Sequence, residues 1–206
     1  MRKRFVVIDD FYTDPRAVRS IALSMQYDAH PGHTYPGKNS TMPYINDQIT
    51  ESVTQILGIK VKPSDKQVYG HFRSSTATDT YEQDIHVDPV SSNLWAGVLY
   101  LNTPEQCRDR LGTITWRHKK LNIETVPMNR DAGRQLGFSS YDDVRRELIH
   151  RDGLDRSLWA ITNYTEMKFN RLVLFRPLDW HSHGENFGTT LENSRLVQIF
   201  FWAKAD

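Results

Sequence analysis

Two stretches, His86-Val87-Asp88 and Phe175-Arg176-Pro177-Leu178-Asp179-Trp180-His181, carry most of the information about how this chain folds. The first closes a predicted strand, Tyr81 to Asp88, which ends at Pro89 because proline has no N–H group to donate to a sheet. Alternate side chains of a strand point to the same face. The histidine and the aspartate of the first stretch therefore share a face, and the valine between them points away.

Short runs rich in β-branched and aromatic residues predict further strands along the chain. The clearest of these runs is the last one, close to the end of the sequence. The predicted strands are Phe5 to Ile8, Gln67 to Arg73, Leu94 to Leu101, Thr113 to His118, Arg171 to Phe175 and Arg195 to Trp202.

Two helices are predicted ahead of most of these strands. Asp14 is a typical N-cap residue, Pro15 suits the first helical position, and apolar residues recur at helical spacing as far as Met25. A second helix is predicted for Asp47 to Leu57, and it ends at Gly58.

The segment Leu121 to Lys168 interrupts the strands and is predicted to be an insert with a charged helix, Tyr141 to His150. No repeat or linker divides the sequence, so residues 1–206 are predicted to form a single domain. Helices followed by short strands predict an α+β fold, mainly β, built round a β-sandwich or a β-helix barrel.

The composition is that of an ordinary globular domain, with 38% hydrophobic and 25% charged residues. The formal net charge of +1 gives no electrostatic reason to expect nucleic acid or an anionic membrane as a partner. Cys107 is the single cysteine, which excludes an intramolecular disulfide and fits a reducing compartment. Neither a signal-peptide core nor a membrane-spanning stretch is visible, so a cytoplasmic location is expected.

The two stretches quoted at the start suggest a metal-binding site. His86, Asp88 and His181 would supply two imidazoles and one carboxylate, the ligand set of non-haem Fe(II) oxygenases. Such a set leaves three positions, of which a 2-oxo acid can take two and dioxygen the third. His183 competes for the third place, and His181 is preferred because it follows the predicted strand more closely. The competing interpretation is a polar pair on a surface strand.

Arg195 is a candidate for binding the carboxylate of the 2-oxo acid. It begins an apolar strand face shared with Val197 and Ile199, where a cation is costly to bury unless it is paired. Its planar guanidinium matches a carboxylate in bidentate fashion. Solvent or an internal acidic residue would satisfy it equally. Tyr100 and Tyr69 are further candidates for co-substrate contacts, although a buried tyrosine with a satisfied hydroxyl is the commoner case.

The order of these features resembles the 2-oxoglutarate/Fe(II)-dependent oxygenase superfamily. The similarity is carried by His86-x-Asp88, by Asn170 to Phe175 leading to His181, and by Arg195 in its strand. The opening Val6-Val7-Ile8-Asp9-Asp10-Phe11 resembles the start of prolyl 4-hydroxylase-like members. The stretches Gly112-Thr113…Arg117-His118 and His181…Phe187-Gly188…Arg195-Leu196 are similar to a bacterial group of that superfamily.

The resemblance implies a double-stranded β-helix core of the jelly-roll or cupin-like kind, with N-terminal helices and a helical insert. It implies Fe(II) held by His86, Asp88 and His181, and 2-oxoglutarate held by Arg195, with O2 as the oxidant. The implied reaction is hydroxylation of a C–H bond in an amino acid, a peptidyl side chain or a small natural product.

Some features narrow or weaken that implication. Phe201 stands where the nucleic-acid dealkylases of the superfamily carry a second arginine, and halogenating members lack a carboxylate such as Asp88. The spacing from His181 to Arg195 is at the long end for the superfamily. Two rival hypotheses are a catalytically silent β-sandwich binding module and a cupin-like metal dioxygenase that needs no 2-oxo acid.

Substrate contacts are expected from the segments outside the β pattern, namely the loop His30 to Tyr44 and the insert. A solvent-exposed role is an equal alternative for each candidate. The candidates are Tyr35, Lys38, Asn39, Arg117 and Arg134.

Overall fold

The computed structural model describes residues 4–28, 35–80, 83–88, 94–109, 111–127 and 129–205. The helices in this part of the chain are α1 (Pro15–Ser24), α2 (Asp47–Leu57), α3 (Arg130–Gln135) and α4 (Tyr141–Val144). The strands are β1 (Phe5–Ile8), β2 (Tyr27–Asp28), β3 (Lys38–Ser40), β4 (Val61–Pro63), β5 (His71–Ser75), β6 (Leu94–Tyr100), β7 (Thr113–His118), β8 (Trp159–Thr165), β9 (Leu172–Phe175), β10 (His181–His183) and β11 (Arg195–Lys204).

The strands form two antiparallel sheets. Within the described residues, the main sheet has the order β1-β9-β6-β11-β5-β3-β2, and β4 pairs with the end of β11. The smaller sheet has the order β10-β7-β8. The predicted fold class, mainly β with N-terminal helices, is confirmed at this level. None of the described helices is long and apolar enough to cross a membrane.

Alternation along β11 separates the two faces of the main sheet. Leu196, Phe200 and Trp202 pack with the apolar sides of α1 and α2 in one buried cluster. Val197 and Phe201 face the other way, into a second cluster that lies between the sheets. The helices thus cover the outer face of the main sheet. The inner face, which points away from the helices, is available for a functional site.

The predicted helix boundaries near the N-terminus are confirmed. The Asp14 side chain accepts a hydrogen bond from the backbone N–H of Ala17, and Pro15 begins α1. Asn46 caps α2 in the same way, and Gly58 ends it with a left-handed φ of 67°. These short signals are reliable because each cap satisfies backbone groups that the helix itself leaves unpaired.

Two strand predictions need correction, and the strand that contains His181 was not predicted. Residues 83–88 form no regular strand, only a single β-bridge at His86, while Tyr81 and Pro89 lie outside the described residues. The strand predicted from Gln67 begins only at His71, because Gly70 has a φ of 78° and interrupts the extended chain. His181 belongs to a strand of its own, β10.

The insert also differs from its prediction. Its last part is a regular strand, β8, which pairs with β7. Most of its central residues are at least partly exposed, so it lacks the apolar run by which strands are recognised. The predicted helix Tyr141 to His150 is a single α-helical segment continued by a π-helix, Arg145–Arg151.

Gly97 offers a test of the layer between the main sheet and the helices. A Cβ at this position would lie 2.5 Å from Cζ3 of the buried Trp202. We expect Gly97→Ala to lower the free energy of unfolding by about 1–3 kcal/mol, the usual cost of overpacking. In α3, a Cβ at Gly133 would meet nothing within 4 Å, so Gly133→Ala should not destabilise the protein. Urea denaturation of both variants checks this, and equal effects would contradict the packing described.

Candidate active site

A β-bridge between His86 and His181 forms the centre of the site. Each residue donates its backbone N–H to the carbonyl of the other, and both bonds measure 2.9 Å. Directly paired residues of antiparallel strands carry their side chains on the same face. The two imidazole rings accordingly lie side by side, with their centroids 4.5 Å apart.

Asp88 completes the group. Its backbone N–H bonds to the carbonyl of Pro177 at 2.9 Å, which ties this residue to the turn before β10. Its Oδ2 lies 3.5 Å from Nε2 of His181. One ligand atom each from His86, Asp88 and His181 lie within 4.8 Å of one another, an arrangement that could hold a metal ion. The structure thus brings together the three residues that the sequence singled out.

The hydrogen bonds of both histidines leave Nε2 available as a ligand. Nδ1 of His86 lies 2.9 Å from the carbonyl of Asp84, and Nδ1 of His181 lies 2.8 Å from the carbonyl of Asp179. A carbonyl only accepts, so Nδ1 carries the hydrogen and Nε2 of the neutral ring is a lone-pair donor. Burial and the neighbouring His181 lower the pKa of His86 to about 4, which favours its neutral, metal-binding form.

The two aspartates that hold these histidines are themselves fixed by arginines. Arg156 binds Asp84 through two nitrogens, at 2.5 and 2.9 Å. Arg4 binds both carboxylate oxygens of Asp179, whose Oδ1 also accepts a hydrogen bond from Thr125. Sequence reasoning missed this support, although the signal was visible: an aspartate stands two residues before each histidine.

The site opens into a cavity of about 300 Å³ between the sheets. His183 lines it but is not part of the three-residue group. It stands opposite Thr113 on β7, whereas His181 stands opposite Thr115. Two residues of strand span about 7 Å, so His183 is displaced along β10 and does not lie at the same point as His181. Burial and the nearby Arg195 lower its pKa to about 3.

Arg195 lies in the same cavity and is only 5% exposed. Its guanidinium carbon is 5.9 Å from the ring centroid of Tyr100, whose hydroxyl bonds to Thr113. Its Nε has no hydrogen-bond partner, and none of the described carboxylates lies within ion-pair distance. Burial lowers the pKa of Arg195, but a guanidinium remains charged at neutral pH. A buried, unpaired cation is costly, so the site is arranged to receive an anion.

The two tyrosine candidates occupy different environments. Tyr100 is fully buried beneath Arg195, where it supports the guanidinium. Tyr69 lies on the opposite face of the main sheet, packed against Phe200 and Trp202 with its hydroxyl bonded to Thr50. Tyr69 is therefore not brought into the cavity with the other candidates. The turn at Gly70 breaks the alternation that would have placed Tyr69 on the cavity face.

Arg73 is a cavity residue that the sequence analysis did not single out. It lies on β5, opposite Val197 of β11. Because Val197 faces the inner cluster, register alone places Arg73 on the cavity side. Among the loop and insert candidates, Tyr35 lines the cavity, whereas Lys38, Arg117 and Arg134 are exposed and outside its lining.

Comparison with known proteins gives a family. The sequence profile of DUF6445, a family of unknown function, matches residues 1–185. The chain belongs to the DUF6445 family. No curated protein matches the sequence.

Comparison with solved structures gives the fold. HygX from Streptomyces hygroscopicus, crystallised with nickel, 2-oxoglutarate and hygromycin B, is similar with a TM-score of 0.56 at 11% identity, over 99% of this chain and 84% of HygX. HygX with nickel and 2-oxoglutarate gives 0.55 at 11% identity, with the same coverage. A prolyl-4-hydroxylase from Pseudomonas putida gives 0.47 at 13% identity, over 98% and 92% of the two chains. The predicted resemblance of this DUF6445 member to 2-oxoglutarate-binding proteins is confirmed at the level of the fold.

The Arg156–Asp84 pair provides a test of how the site is supported. We expect Arg156→Gln to weaken binding of Mn(II), used as a redox-stable probe, by about tenfold, since outer hydrogen-bond partners of metal ligands typically contribute this much. Arg145→Gln, at an exposed position, is the matched control and should bind Mn(II) like the wild type. Electron paramagnetic resonance of free Mn(II) measures both affinities. Equal affinity in the two variants would contradict a supporting role.

Proposed function

We propose that this DUF6445 protein is a non-haem Fe(II)- and 2-oxoglutarate-dependent oxygenase. The observation that carries the proposal is the coincidence, in one cavity, of a two-histidine, one-carboxylate group and a buried arginine that forms no ion pair with any described residue. Either feature alone has ordinary structural explanations. Together they match the two things that such an enzyme must hold, a metal and a dicarboxylate.

The strand order supports a double-stranded β-helix as the core. One side is the run β5-β11-β6-β9 of the main sheet, and the other is formed by the His86 segment, β10 and β7. The two sides face each other across the cavity. The similarity of fold to HygX, which was crystallised with nickel and 2-oxoglutarate, points the same way.

The donor set fits Fe(II). Two imidazole nitrogens and one carboxylate oxygen on neighbouring backbone segments form the facial arrangement typical of non-haem iron, and they leave further coordination positions open. His86, Asp88 and His181 would hold the metal. When bound there with a 2-oxo acid, Fe(II) supplies the activation of dioxygen and the oxidation of a C–H bond.

We call His86, Asp88 and His181 the metal group. The residues that connect the metal group to Arg195 are arranged as 2-oxoglutarate would require. His183 lies next to His181 on the same face of β10, and Thr113, opposite His183, connects through Tyr100 to Arg195. His183 is displaced from His181 by two residues of strand, about 7 Å, so Arg195 is connected to a point further along this wall than the three candidate ligands. Arg195 would bind the distal carboxylate, and the surrounding apolar cluster would exclude water and strengthen this ion pair.

The substrate is proposed to be a small molecule or a peptidyl side chain that is hydroxylated at carbon. The cavity volume lies at the lower end of the range for small-molecule sites. Only part of the substrate would therefore enter the cavity and approach the metal group. HygX was crystallised with hygromycin B, which supports a small-molecule substrate as the first class to examine.

Anaerobic addition of Fe(II) and 2-oxoglutarate tests the proposal. The wild-type protein should develop the visible charge-transfer absorption of a chelated 2-oxo acid, because the 2-oxo and carboxylate groups would share the metal. His86→Ala and Asp88→Ala should abolish it, since each removes one of the three ligands, whereas His183→Ala should retain it. Absence of the band in the wild type would overturn the proposal and favour a silent binding module.

Arg195 can be tested separately with the same band. Arg195→Gln should raise the 2-oxoglutarate concentration at half-saturation about ten- to hundredfold, corresponding to the loss of a charge-assisted hydrogen bond of roughly 1.5–3 kcal/mol. Arg195→Lys, which keeps the charge but loses the planar fork, should lie between the two proteins. Unchanged half-saturation in Arg195→Gln would favour a metal dioxygenase that does not use 2-oxoglutarate.

A further inference from the structure

The cavity contains a second guanidinium that the proposed cofactors leave unused. Arg73 lines the same cavity as Arg195 and Asp88. In the described part of the chain its hydrogen bonds go to neutral side chains, and no carboxylate lies within 4.0 Å of it. Asp88 attracts Arg73 from beyond ion-pair distance, but that carboxylate is also one of the three proposed metal ligands. An arginine without an ion-pair partner of its own is costly to bury.

Contacts on its outer side fix the orientation of Arg73. Its Nε donates to Oδ1 of Asn39 at 2.8 Å, and its guanidinium carbon lies 3.4 Å from the ring centroid of Tyr35. Asn39 in turn donates from Nδ2 to the hydroxyl of Tyr35 at 2.7 Å. We call these three residues the Arg73 clamp. The guanidinium also hydrogen-bonds the side chain of Tyr35. An arginine has five N–H donors, so further donors remain on its terminal nitrogens for an anion in the cavity.

The charges of the cavity point to a further anion. Leaving the histidines aside, the charged residues in its described lining are Arg73 and Arg195, which are cationic, and Asp88, which is the single carboxylate. A divalent metal adds two positive charges and 2-oxoglutarate removes two. One positive charge remains unbalanced, in a site where screening by water is weak.

The position of Arg73 differs from that of the 2-oxoglutarate anchor. Arg195 rests on Tyr100, close to Thr113 of the smaller sheet. Arg73 is held by Tyr35 and Asn39, which precede and belong to β3, at the other side of β5. The clamp therefore lies on the β3 side of β5, within the segment expected to contact the substrate, whereas Arg195 lies on β11 at the other side of β5.

We propose that the Arg73 clamp binds an oxyanion, foremost a carboxylate, carried by the prime substrate. This inference rests on the proposed function, because it assigns the substrate class of that same site. The substrate then enters with its acidic group on Arg73 and presents a carbon to the metal group beside Asp88. Tyr35 and Asn39 are positioning residues in this arrangement, since they act through the guanidinium.

Fluorine relaxation with a small carboxylate tests the inference. The protein is loaded with Mn(II) and saturating 2-oxoglutarate, and the paramagnetic relaxation of trifluoroacetate is compared with that of neutral trifluoroacetamide. We expect the wild type to enhance the relaxation of trifluoroacetate selectively. Arg73→Gln should lower this enhancement at least fivefold, and the relaxation of trifluoroacetamide should not change.

Two further variants separate the possible outcomes. Arg73→Lys should recover part of the enhancement because it restores the charge, and the exposed Arg145→Gln should behave like the wild type. Equal enhancement in the wild type and in Arg73→Gln would overturn the inference. So would a 2-oxoglutarate half-saturation in Arg73→Gln that rises as far as in Arg195→Gln, because Arg73 would then belong to the co-substrate. Failure of the wild type to bind Mn(II) and 2-oxoglutarate would instead refute the proposed function itself.

Discussion

The site depends on one pair of backbone hydrogen bonds, those between His86 and His181. This bridge joins an irregular segment to β10 and fixes both imidazoles on one face. The remaining contacts around the metal group fix the orientation of these two imidazole rings. The carbonyls two residues upstream select the tautomers, and arginines on the two aspartates hold those carbonyls in place. His86 and His181 thereby present two preorganised nitrogen donors, as a metal site requires.

The cavity beside this bridge has an electrostatic character that the fold alone does not require. Arg195 is buried and Arg73 is partly buried in its wall, and Asp88 is the single described carboxylate that lines it. Two like charges so placed repel each other and lose hydration, a cost that packing does not recover. The apolar layer between α1, α2 and the outer face of the main sheet stabilises the fold and offsets the free-energy cost of such a site. The inner face is therefore free to be polar where binding demands it.

Much of this site was predictable from the sequence, because it rests on local rules. Strand alternation placed His86 with Asp88, and an arginine at the head of an apolar strand face suggested a buried anion site. What could not be predicted depended on contacts between distant segments. Arg73 becomes a cavity residue only through its register with β11, and Tyr69 leaves the cavity because Gly70 turns the chain. Strand β8 escaped notice because it is exposed along much of its length.

The central claim is that one cavity binds a metal at His86, Asp88 and His181 and a 2-oxo acid at Arg195. A crystal structure of the protein with Ni(II) and 2-oxoglutarate tests it most directly. The account requires density for the metal bonded to Nε2 of both histidines and to the aspartate, with the distal carboxylate paired to the guanidinium. Coordination by His183 in place of His181, or 2-oxoglutarate bound away from Arg195, would contradict it.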